Sequence, residues 1–107
     1  VSVIGRLRHR LTLEAPDETP DGMGGVVRGF AALGQVWAAI EPMGASEATV
    51  ADRRLGRLTH RIVLRHRADL TLNHRLRLGY RVFAIRSLRD PDESGRLLEC
   101  LVEEERP

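Results

Sequence analysis

No lysine occurs among the 107 residues, so all 17 basic side chains are arginines. The single cysteine, Cys100, excludes an intrachain disulfide and any cysteine-built metal finger. It also fits a reducing compartment, the cytoplasm. Aromatic residues make up 4% of the chain, too few for a base-stacking platform of the kind that binds single-stranded nucleic acid. No apolar run approaches the ~20 residues that span a bilayer. The stretch from Val1 to Arg10 is interrupted by Arg6 and Arg8, so no secretory leader is expected.

What is present is ordinary for a small soluble domain: 42% apolar and 30% charged residues, with a net charge of +2. One domain over residues 1–107 is expected. Arginine is planar, permanently charged and weakly hydrated, which suits carboxylate and phosphate partners. A GC-rich genome, whose codons favour arginine over lysine, is the preferred explanation of the missing lysine, and +2 alone does not make a nucleic-acid binder.

Hydropathy alternates with period two in several places. From Leu7 to Ala15, leucines at 7, 11 and 13 share one parity while Arg8, Arg10, Thr12 and Glu14 share the other, the pattern of a strand with one buried face. Residues Ala15–Gly29 read as a long loop, rich in glycine and proline, with turn dipeptides at Asp21-Gly22 and Gly24-Gly25. A loop of that length in a compact domain is usually functional or disordered. Val36–Pro42 is a second strand, and its Trp37 is expected at the core or the core's edge, an interface anchor being the other reading. Gly44–Gly56 fits a short helix, with Ser46 as its N-cap and Gly56 as its stop. Alternation resumes at Leu58–Arg67, Arg75–Leu78, Tyr80–Leu88 and Leu97–Val102, and Glu103, Glu104 and Glu105 form a solvated tail. The fold expected is mainly β, a small antiparallel barrel or sandwich of five to six strands with one short helix.

Catalytic chemistry finds little support. His60 and His66 share a strand face but lie six positions apart, too far for one ion at ~3.3 Å per residue. No HExxH or paired CxxC is present, and no metal or cofactor is expected. Asp90 and Asp92, like Asp17 and Asp21, sit in turn sequences that use aspartate to hold backbone. Cys100, on the apolar parity of its strand, reads as a small buried hydrophobe. Arginine placement is the remaining signal. Arg61, Arg65 and Arg67 line one outward parity, and Arg75, Arg77, Arg81, Arg86 and Arg89 decorate the next ribbon. That face is either solvated and paired with carboxylates, or it meets an acidic surface such as a protein rim or DNA phosphates.

The order of segments resembles the head–tail joining, or head-completion (stopper), proteins of tailed bacteriophages and of phage-like gene transfer agents. The resemblance runs through Ile4-Gly5-Arg6-Leu7-Arg8-His9-Arg10, Asp21-Gly22-Met23-Gly24-Gly25 and Val36-Trp37-Ala38-Ala39-Ile40-Glu41-Pro42. It continues through Glu47, His60-Arg61-Ile62-Val63-Leu64-Arg65-His66-Arg67, Gly79-Tyr80-Arg81-Val82-Phe83-Ala84-Ile85, and the Asp90 turn with Leu98-Glu99-Cys100. It implies a non-enzymatic barrel without cofactor that assembles as a homo-oligomeric, hexameric ring at the neck of a virion put together in the bacterial cytoplasm. Portal and adaptor proteins would lie on the head side and a tail terminator or tail tube protein on the tail side. Double-stranded DNA would pass through the lumen, which a loop closes in some members; no membrane is involved. Within that frame, Asp21, Gly22, Gly24 and Gly25 are the expected partner-contact loop. Arg53, Arg54 and Arg57 are expected to face the channel or a neighbouring subunit. A free-standing, arginine-rich barrel that binds nucleic acid is the alternative.

Overall fold

The period-two segments do become strands. A computed structural model describes residues 7–44 and 57–105. The strands are β1 (His9–Pro20), β2 (Val26–Pro42), β3 (His60–Arg65), β4 (Arg75–Leu78), β5 (Arg81–Arg89) and β6 (Leu97–Glu105). All pairings are antiparallel, and the sheet closes on itself in the order β1-β2-β3-β6-β5-β4. The helix expected over Gly44–Gly56 falls, apart from Gly44, outside the described residues, as do Arg53 and Arg54.

Every strand contributes to one core. Leu11, Leu13, Ala38, Ile62, Leu64, Leu76, Phe83, Ile85, Leu98, Cys100 and Val102 point inward, and Leu70, from the β3–β4 connection, joins them. These are the parities the alternation assigned, because a strand can hide only alternate side chains inside a barrel. Cys100 is fully buried, and that burial pushes its thiol up to about 12, so it is held as an un-ionised apolar group.

The registers define two barrel mouths. At one lie the end of β3, the start of β6 and the start of β4; at the other lie His60, Arg81 and Glu104. Two segments depart from expectation. Ala15–Gly29 is not an irregular loop: β1 and β2 stay paired from Ala15↔Ala31 to Pro20↔Val26 and leave the first mouth as a two-stranded ribbon. Beyond the rim neither face of the ribbon has a core to cover, so hydropathy carries no period there. A bulge between Leu13 and Glu14, where β2 has Leu33 in excess, marks the root. Glu103–Glu105 is likewise not a free tail, but the end of β6 paired to Val82–Ala84 of β5.

Candidate assembly surface

The ribbon ends in a turn built by the residues singled out for partner contact. Asp21 Oδ1 accepts hydrogen bonds from the backbone N–H groups of Met23 (2.7 Å) and Gly25 (3.1 Å), and Asp21 N–H donates to the Gly25 carbonyl at 3.2 Å. Gly22 (φ 77°) and Gly24 (φ 85°) occupy left-handed conformations that a side chain would strain. Asp21, Gly22, Gly24 and Gly25 thus come together, but as the frame of the turn. The side chain they present is Met23, 89% exposed at the tip.

Behind the tip, Val26, Val27, Phe30 and Leu33 of β2 are exposed, a set that the residue pattern did not single out. Their signal was there, since four large apolar side chains within eight positions need a partner, but a glycine-rich surround disguised it as loop. Trp37 belongs with them. It is not in the core: it stands on the outer wall, 53% exposed, with the Arg10 guanidinium 5.8 Å from its ring on the neighbouring strand. The even positions of β2 face inward, which leaves Trp37 outside.

At the root of the ribbon, Glu14 lies on the outer parity yet is only 3% exposed. Arg75 Nε bonds Glu14 Oε1 at 2.7 Å and Arg77 Nη2 approaches Oε2 at 3.2 Å. The Arg75 guanidinium also sits 3.8 Å from the centre of the Phe30 ring, so one cation ties the barrel wall to the ribbon.

Apart from Arg65 and Arg67, the arginine rows are paired across strands, and Arg67 bonds Asp69 two positions on at 3.0 and 2.9 Å. Arg81 bonds Glu104 through two nitrogens (2.9 and 3.1 Å), Arg86 bonds Glu103 (3.1 Å) and Arg89 bonds Glu99 (2.9 Å). Arg61 lies between Glu41 and Glu99 at 3.7 and 3.6 Å. The glutamates of β6 supply most of the carboxylates, and much of the basic face is thereby neutralised. Arg57, the one described member of the expected channel-facing trio, is exposed at the second mouth. There it lines a cavity of about 560 Å³ with Thr59, His60, Glu103, Glu104 and Glu105.

In that mouth His60 covers Phe83 edge-on, with ring centres 5.4 Å apart, and its Nδ1 lies 2.8 Å from Thr59 Oγ1. Burial lowers the His60 pKa below its ordinary 6.5, against the opposing pull of Glu104. A group that resists protonation when folded lets the unfolded chain take up the proton first. Its contribution is therefore intact above pH 6.5 and is lost as pH falls from there through the folded value. Denaturant titrations between pH 7 and pH 5 are expected to show a loss of stability that is smaller in His60→Gln; identical slopes would contradict this.

No group of three or more His, Cys, Asp or Glu able to hold a metal gathers among the described residues. The surface is made of paired charges and exposed apolar side chains, the materials of contact with other chains.

Comparison with known proteins agrees. No curated protein matches the sequence. The solution structure of a Shigella flexneri 2a protein matches with a TM-score of 0.78 at 29% identity, over 96% of this chain and 96% of that one. A chain from the virion of a native gene transfer agent particle matches with a TM-score of 0.61 at 25% identity, over 92% and 94% of the two chains. The family model described as phage head completion protein matches residues 3–105, so the chain belongs to the phage head completion proteins, a structural family of the virion rather than a family of enzymes.

Proposed function

We propose that this chain is a single connector domain, 1–107, and one subunit of a homo-oligomeric, hexameric ring at the neck of a phage or gene-transfer-agent particle. The ring joins the DNA-filled head, through its portal and adaptor proteins, to a tail terminator or tail tube protein, and double-stranded DNA crosses its lumen. The observation that carries this reading is the division of the molecule into a closed, rigid barrel and a projecting ribbon with exposed apolar side chains. The barrel serves as the wall of the ring, and the ribbon, with Met23 at its tip, reaches the adjacent ring and is the element able to gate the channel. Arg57, together with Arg53 and Arg54, faces the channel or the neighbouring subunit.

The alternative of a free-standing nucleic-acid binder draws no support from the arginines at 61, 75, 77, 81, 86 and 89, which are engaged by carboxylates. Deleting the gene in the strain that makes the particle is expected to give full heads and separate tails in electron micrographs. Normally joined, DNA-delivering particles would refute the proposal.

A further inference from the structure

The two edges of the ribbon, beside which no described strand lies, are chemically different. The bond from Asp21 N–H to the Gly25 carbonyl makes Asp21/Gly25 a hydrogen-bonded pair. Pairs alternate along an antiparallel ladder, so Thr19/Val27, Asp17/Gly29 and Ala15/Ala31 also bond across the ribbon. Pro20/Val26, Glu18/Arg28 and Pro16/Phe30 are then the positions whose backbone N and C=O point away from it.

On the outer edge of β1, Pro16 and Pro20 have no N–H to offer, and Glu18 is the one donor between them. Asp17 and Glu18 add charge there. These are the devices by which proteins keep an edge strand from pairing. The outer edge of β2 carries no proline and a single charge. Val26, Arg28, Phe30 and Ala32 all keep an outward N–H and C=O, and Arg28 is the only charge from Val26 to Leu33. No described strand lies beside this stretch, since β3 joins β2 only from Ala38 onward, and every residue from Val26 to Gln35 is exposed.

We infer that the Val26–Ala32 edge of β2 receives an extended segment of another virion polypeptide, which adds to the ribbon as a third strand. This rests on the virion role proposed above. Main-chain hydrogen bonds would supply affinity, and the exposed Val26 and Phe30, which share one face of the strand, would select a proline-free segment with apolar side chains at alternate positions. A second copy of this ribbon is a poor occupant. A head-to-tail arrangement, the kind that closes a ring, would offer it the β1 edge, which the prolines block. Two β2 edges paired about a two-fold axis at Arg28 would bring Arg28 against Arg28, and an axis at Gly29 would still leave the two guanidinium groups as diagonal neighbours on one face.

A matched pair of substitutions tests this. Glu18 and Arg28 are direct partners, with one outward N–H each and a shared ion pair (3.4 Å). Glu18→Pro and Arg28→Pro therefore lose the same salt bridge and remove one outward donor apiece, from opposite edges, without breaking the ribbon's own ladder. In a deletion strain complemented with each full-length variant, Arg28→Pro is expected to lower the yield of joined particles at least tenfold. Glu18→Pro is expected to stay within about threefold of wild type, with both purified chains melting alike. Equal yields from the two variants would overturn the inference, as would a β2-edge dimer of the wild-type chain in sedimentation that Arg28→Pro dissociates. Loss of folding confined to Arg28→Pro would show that the edge is structural and would overturn it too. If the deletion itself leaves joined particles, the virion role fails first; if the deletion abolishes joining and both variants restore it, only the edge is misassigned.

Discussion

Replacing Arg75 and Arg77 together with methionine is expected to destabilise the chain by about 3–5 kcal/mol, because it strands Glu14 as a buried carboxylate with neither cation beside it. The reverse truncation is milder. In Glu14→Gln both arginines keep access to water, with side chains 25% and 44% exposed, so neither charge is trapped. The asymmetry follows from which member of the trio is desolvated, not from how many bonds are lost. Adding Glu14→Met to the double substitution is expected to recover most of the loss, since an apolar cluster of similar volume needs no ion pair. Urea titrations with unchanged slopes would measure all three. A Glu14→Gln loss as large as that of the arginine pair would mean that Glu14 is not the buried charge the geometry describes.

Phe83→Ala is expected to cost a similar amount, about 3–5 kcal/mol, against a total of about 5–15 kcal/mol for a domain. Phe83 is the largest fully buried side chain, and the only aromatic ring among the core residues apart from His60 at their margin. Its pocket cannot collapse easily. The ladders of β4 and β6 on either side fix the wall, and His60 and the Arg81 guanidinium (5.0 Å from the ring centre) fix the mouth. At this chain length such a loss corresponds to a melting temperature lower by roughly 15–20 °C. Phe83→Leu, which keeps most of the volume, is expected to cost under about 1.5 kcal/mol. Equal melting of the alanine and leucine variants would show that the mouth does collapse.

The barrel was legible in the sequence because its signal is local: each strand with a buried face writes its own alternation, and the inward residues from Leu11 to Val102 follow it. The ribbon was not, because period two needs a core on one side and the ribbon has none. Glycine and proline at 16, 20, 22, 24, 25 and 29 then read as loop, although both prolines sit where a ladder loses nothing by them. Trp37 was misplaced for a related reason. Size and hydrophobicity argued for the interior, whereas parity, which puts Ala38 inside, argued against it. The turn residues Asp21 to Gly25 stand out through their backbone demands, and those demands explain why they frame the tip of the ribbon while Met23 projects from it. The pairing of β6 glutamates with β5 arginines could not be read from a run of three like charges, because it depends on a register set by Val102 and Ile85.

The seam between β1 and β4 is the shortest in the barrel, with only Thr12, Leu13 and Glu14 set against Arg77, Leu76 and Arg75. Its two sides lie more than sixty positions apart along the chain, so it is the costliest contact to close from an open coil, whereas the β1–β2, β4–β5 and β5–β6 hairpins can each zip from a nearby turn. Shutting that seam is then expected to come last as a newly made subunit folds, and an unlatched sheet is the form in which the chain would be most prone to stick to its neighbours.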